Sequence, residues 1–291
     1  MKNLPQIFDD FQYRHKAFGF IVAVIKRYSS DKGGRNAALI TYYLFLSLFP
    51  LLFWLSLIAN LLNTYLPGSA SSLIHGATNY FPVLGQQLYR IAHGAHRSIL
   101  GIVVSGLVTI YGARGTAMVF MEIVNDVFSV PMKQRLGFPW NWLRGIGIVL
   151  MGGGGFVLTA AGYSWALTQG HTVWFKALIG LLGVIVLTVV FIAILKLSLP
   201  KHTKIHHVLS GSLSMAVALG LLQFLGGFIV THSLKHYTDT YTALFATTLG
   251  LIAWIYLEAQ ILLYSIEVTV VAERKLWPIR LITSQDSGKA N

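Results

Sequence analysis

The chain is written in long apolar runs, and six of them carry no charged side chain over their main length. They are Ala37 to Leu66, Ile99 to Ala113 with a polar-studded extension to Phe128, Gly145 to Phe175, Ala177 to Leu195, Val208 to Leu234, and Thr240 to Leu257, extended past Glu258 to Val271. A helix needs roughly 20 apolar residues to cross a bilayer, because no water is present in the hydrocarbon core to satisfy backbone N–H and C=O groups. Five runs reach that span by length, and the second does so with its extension. The pattern predicts an all-α polytopic membrane protein with six transmembrane helices.

Between these runs the polar positions are also informative. Phe18, Ile21, Val22 and Ile25 recur at helical spacing between Lys16 and Lys26-Arg27, as expected of a helix lying at a membrane interface. In the first span Pro50 removes the hydrogen bond to the carbonyl of Leu46 and predicts a kink, with Ser47 one turn earlier able to take part of that load. The loop from Asn63 to Ser98 opens at Pro67-Gly68. It then reads as an amphipathic helix with Leu84, Leu88, Ile91, Ala92 and Ala95 on one face. The expected organisation is a cytoplasmic N-terminal segment over 1–36, a six-helix membrane domain over 37–272, and a cytoplasmic tail over 273–291.

Composition supports this reading. Apolar residues make up 55% of the chain and charged residues 11%, where soluble proteins carry about a quarter charged. A formal charge of +12 invites a nucleic-acid reading, and the placement of the charges argues against it. Of the 22 Lys and Arg residues, 17 fall in the N-terminal segment, the tail and the loops expected on the same face. The opposite loops carry only Arg90, Arg97, Lys176 and Lys235. The positive-inside rule then puts both termini in the cytoplasm. The expected partners are the bilayer and anionic phospholipids at its cytoplasmic face, with no nucleic acid.

The candidate chemistry is sparse. Cysteine is absent, so thiolate metal sites and cysteine nucleophiles are excluded. The run Gly152-Gly153-Gly154-Gly155 lacks the Lys-Ser/Thr of a phosphate loop, and close helix packing or a substrate-lining break remain as its readings. His202, His206, His207, His232 and His236 form no H-E-x-x-H or comparable ligand pattern, so no metal and no cofactor are expected. No G-x-S-x-G elbow supports hydrolysis.

Charges inside spans are the better pointers, because burying them in a bilayer is costly. Glu258 lies near the middle of the last span and Arg114 near the middle of the second. Asn125 falls eleven residues after Arg114, nearly on its face, and Glu122 lies within about 60° of that face. Arg114, Glu122, Asn125 and Glu258 are therefore the candidate substrate or ion path. An Arg114–Glu258 ion pair that merely neutralises the two charges is the structural alternative. Glu267, on the opposite face from Glu258, is expected at the interface.

Thr41-Tyr42-Tyr43-Leu44-Phe45-Leu46-Ser47-Leu48-Phe49-Pro50-Leu51 resembles the Tyr-rich Ser-Leu-x-Pro opening helix of the YihY/BrkB family of bacterial inner-membrane proteins. Asn125-Asp126-Val127-Phe128, Tyr241, Trp254-Ile255-Tyr256 and Glu267-Val268-Thr269 follow in the same order, so the likeness runs from about Ala37 to Arg274. It departs at Ala243-Leu244, where many members have glycine, and at Tyr264-Ser265-Ile266, where many have Gly-Ala. The resemblance implies six helices and a bacterial inner-membrane location, without a settled activity. A ribonuclease label attached to members finds no chemical support in these residues. A transporter or lipid-handling role is the expectation, with a non-transporting envelope-assembly scaffold as the alternative.

Overall fold

The computed structural model of the chain describes residues 16–48, 99–135, 137, 139–168, 173–199, 205–233 and 240–276. Among them every long element is helical. The helices are α1 (Lys16–Ser30), α2 (33–48), α3 (Ile99–Val127), α4 (Trp140–Thr168), α5 (Val173–Ser198), α6 (Ile205–Ser233) and α7 (Thr240–Arg274), with a 3-10 turn at Met132–Gln134. Three stretches among the described residues are long and apolar enough to cross a membrane: Val103–Val127, Leu178–Ser198 and Thr248–Arg274. Val208–Gln223 is a shorter apolar helical stretch. Pro50, its expected kink, and the amphipathic segment expected between Asn63 and Ser98 lie outside the described residues.

One expected boundary moves. The third apolar run, Gly145 to Phe175, holds two helices among the described residues, α4 as far as Thr168 and α5 from Val173. Hydropathy is blind to such a junction, because both flanks are equally apolar.

Each helix from α3 to α7 packs on the next, α3 also meets α5 and α7, and α1 packs on α7. Ile40, Val124, Leu195, Leu199, Val208, Ile266 and Val270 are buried where these helices converge. The outward surface is equally apolar: Leu107, Ile110, Leu150, Leu181, Val189 and Leu221 are exposed. A contiguous surface of that kind is unsuited to water and suited to lipid. Small residues set the closest crossings. A Cβ on Gly211 of α6 would collide with Oγ1 of Thr269 and the carbonyl of Ser265 on α7, and one on Gly155 of α4 would meet Val190 of α5.

The ends of α3, α5 and α7 explain what several basic residues do locally. The last carbonyls of a helix have no intrahelical donor and must find one elsewhere. Ser129 (φ 52°) and Lys275 (φ 51°) take left-handed conformations just after α3 and α7. These turns let Val130 N–H donate to Asn125 O and Leu276 N–H to Val271 O, the bonds of a Schellman closure. Side chains complete the caps. Arg27 donates to Val127 O at 2.7 Å and Arg274 to Phe128 O at 2.6 Å, both at the end of α3. Arg144 donates to Leu197 O at 3.0 Å at the end of α5. The basic residues of this bundle end thus cap helices as well as carrying charge.

α1 docks on this end of α7, and not by the face expected. Ala23 and Val24 pack with Val271, and the ring of Tyr28 stacks on Tyr264 with centroids 3.9 Å apart. Ile21 and Ile25 remain exposed. The helix has apolar groups on two sides, one for protein and one left free for lipid. Tyr28 lies outside the membrane-spanning helices, and burial, with Tyr264 and Tyr256 nearby, pushes its phenol up to about 12. It is therefore a neutral packing group at any physiological pH.

Candidate functional site

Five helices leave an apolar cavity of about 300 Å³ between them. Ile40, Leu44 and Ser47 of α2 line it together with Ala113, Thr116, Ala117 and Phe120 of α3. Ile148, Val149, Gly152 and Gly153 of α4, Phe191 and Ile194 of α5, and Leu262 of α7 complete the wall. The cavity is an outcome of uneven side-chain size. Gly112 and Gly115 let α3 approach α2 so closely that a Cβ on either would strike Ser47 or Tyr43. A few residues along, Gly152 and Gly153 supply no side chain, and a Cβ at Gly153 would meet nothing within 4 Å. Close contact at one level and missing volume at the next leave a space among the helices that is open on one side, where Gly153 is exposed.

The glycine run therefore does two things at once. Helix α4 passes through all four glycines unbroken, which removes the reading of a local break. Gly155 makes the close approach to α5, while Gly152 and Gly153 line the cavity. The polar groups among its lining side chains are hydroxyls: Ser47 donates to Leu44 O and Thr116 to Gly112 O, so each is satisfied by its own helix. A space of this lining suits hydrocarbon better than a hydrated ion.

The charged candidates are not brought together. Glu258 accepts a hydrogen bond from Trp254 Nε1 at 2.9 Å and from Gln223 Nε2 at 3.2 Å, which places it at the seam of α7 and α6. Arg114 lies on the outward side of α3, exposed, and lines a groove against α4. Among the described residues no ion pair joins the two, and that alternative is corrected. The expected inward polar face of α3 also divides. Asn125 is buried and donates to Met121 O and, across to α5, to Ser198 O. Glu122 is exposed. On α3, α5 covers the face at Asn125, while at Arg114 the helix opens on the α3–α4 groove.

A different acidic residue is the buried one. Glu267, expected at the interface, is 2% exposed and pairs with Arg27 Nε at 3.0 Å, with Asp31 3.7 Å from the same guanidinium. The pair ties α1 to α7 at the point where Arg27 also caps α3. The signal lay in the arrangement of Arg27 two residues beyond the apolar stretch of α1 and of Glu267 near the end of the last span. Only the docking of α1 shows that they meet.

A family model described as "Virulence factor BrkB" matches residues 24–283, which takes in α1 from Val24 onward, α2 to α7 and the Arg27–Glu267 pair. The chain belongs to the BrkB virulence-factor family. Comparison with curated proteins and with solved structures gave no match. Within this BrkB-family chain, no group of three or more His, Asp or Glu side chains is assembled among the described residues. The side chains of His202, His206, His207, His232 and His236 lie outside them.

Proposed function

We propose that this BrkB-family protein is a six-span inner-membrane protein with both termini cytoplasmic, and that it moves or holds a lipid-like envelope molecule. The observation that carries the reading is the apolar cavity among α2, α3, α4, α5 and α7. Its volume of about 300 Å³ is at the lower bound of small-ligand sites, and its lining suits part of an acyl or polyprenyl chain. No catalytic step is proposed, and the expectation is that purified protein freed of nucleases leaves RNA intact.

The test is lipid redistribution in vesicles reconstituted with the purified protein, using a fluorescent phospholipid and an impermeant quencher. Wild-type protein should accelerate exchange between leaflets over empty vesicles. Gly153→Leu, which fills cavity space without a backbone clash, should slow it while leaving folded yield intact. No acceleration by wild-type protein would leave the envelope-assembly scaffold as the better reading.

A further inference from the structure

Arg114 is a full positive charge near the middle of the candidate span Val103–Val127, on a strip of α3 otherwise made of exposed Val103, Leu107, Ile110 and Tyr111. Among the described residues it has no hydrogen-bond or ion-pair partner. A guanidinium left bare against hydrocarbon costs several kcal/mol, so it must reach water or an anion. The surroundings say which. Arg114 lines a groove of about 390 Å³ between α3 and α4, walled by Ile110, Met118, Ile146 and Leu150 and bounded at the start of α4 by Asn141 and Trp142. Oδ1 of Asn141 is buried and has no donor.

We infer that the α3–α4 groove binds one anionic phospholipid, with its phosphate on Arg114, its glycerol headgroup hydroxyls toward Asn141, and an acyl chain running the other way along Ile110 and Leu150. Charge and shape select this occupant together. The guanidinium offers paired donors to phosphate oxygens, which an apolar protein face would leave unused, and its charge is balanced by an anionic head, whereas a phosphatidylcholine phosphate is already balanced by its own choline cation. The groove beside it is apolar, which a free phosphate in water would not need. The buried Asn141 oxygen lacks a donor, and a phosphatidylglycerol head carries hydroxyl donors where a choline head carries none. Exposed Trp142 stands at the groove's edge, where an amphipathic indole suits the boundary between headgroup and chain. Ala113 and Val149 line both this groove and the cavity among the five helices, so only the α3–α4 seam separates the two spaces. The occupancy of the groove stands whether or not the cavity among the five helices carries a lipid.

The experiment is native mass spectrometry of the full chain released from micelles holding phosphatidylglycerol and phosphatidylcholine of matched chains. Wild-type protein should retain phosphatidylglycerol in preference. Arg114→Gln should lose about fivefold of that preference, Arg114→Lys should keep part of it, and Lys133→Gln, at an exposed position in the 3-10 turn, should leave it unchanged. A wild-type ratio in Arg114→Gln, or an equal loss in Lys133→Gln, overturns the site. Should Arg114→Gln not fold, wild-type protein and Trp142→Phe are compared in lipids with brominated chains. The Trp142 signal should be quenched more by brominated phosphatidylglycerol than by brominated phosphatidylcholine, and equal quenching overturns the proposal.

Discussion

Arg27 and Glu267 lie 240 positions apart in sequence and meet at 3.0 Å, with Glu267 almost wholly buried and Arg27 reaching on to the Val127 carbonyl at the end of α3. One guanidinium thus joins α1, α3 and α7. Removing one partner of such a pair leaves a charge without compensation, while replacing both by apolar groups does not. Glu267→Ala should lower stability by about 3 kcal/mol. The double substitution Arg27→Met with Glu267→Leu should recover much of the loss, though not the cap on Val127 O. Thermal unfolding in detergent checks both, and a double variant no better than Glu267→Ala would sink the account.

The span-like helices and the helical character of α1 were legible because their cause is local: a run of apolar residues, or a helical repeat between basic residues. What the chain did not disclose depends on who covers whom. Glu258 and Glu267 are both acids on one long helix, and periodicity separates their faces correctly. It cannot say that Gln223 of α6 meets the first or that Arg27 of α1 meets the second. Likewise four consecutive glycines look equivalent in sequence. Their neighbours Val190 and the open cavity make Gly155 a packing residue and Gly153 a lining residue.

Two glycines of α6 should respond oppositely to the same change. Gly211 faces α7 so closely that a methyl group meets Thr269 and the Ser265 carbonyl, and backbone cannot yield as a flexible side chain can. Gly211→Ala should cost about 2–3 kcal/mol or push the helices apart. A Cβ at Gly220 meets nothing within 4 Å, so Gly220→Ala should gain up to about 1 kcal/mol from helix propensity alone. Folded yield and unfolding midpoint decide between them, and equal effects would contradict the packing.

Reporter fusions should find the C-terminus in the cytoplasm and the segment near Ser72 outside, since 17 of the 22 Lys and Arg residues fall on the face assigned to the termini. Arg27, Arg144 and Arg274 of that set also cap helix ends at one end of the bundle, so their clustering has a structural basis besides membrane insertion. An external C-terminus would remove the six-span arrangement.

Arg114 and Glu258 should prove energetically independent. Each faces a different neighbour, Arg114 the groove against α4 and Glu258 the Trp254 and Gln223 donors at the α6–α7 seam. Sites that share no partner add their effects to within about 0.5 kcal/mol, whereas partners of one buried ion pair do not. Glu258→Gln keeps an oxygen for Trp254 and should fold at near wild-type yield, because no cation is left stranded by the change. Arg114→Gln removes a charge from a lipid-facing span and should not destabilise the protein. The double variant should then show the sum of the two single effects in a thermal-unfolding cycle. A coupling beyond about 1 kcal/mol, or rescue of one variant by the other, would mean that the two charges compensate each other after all.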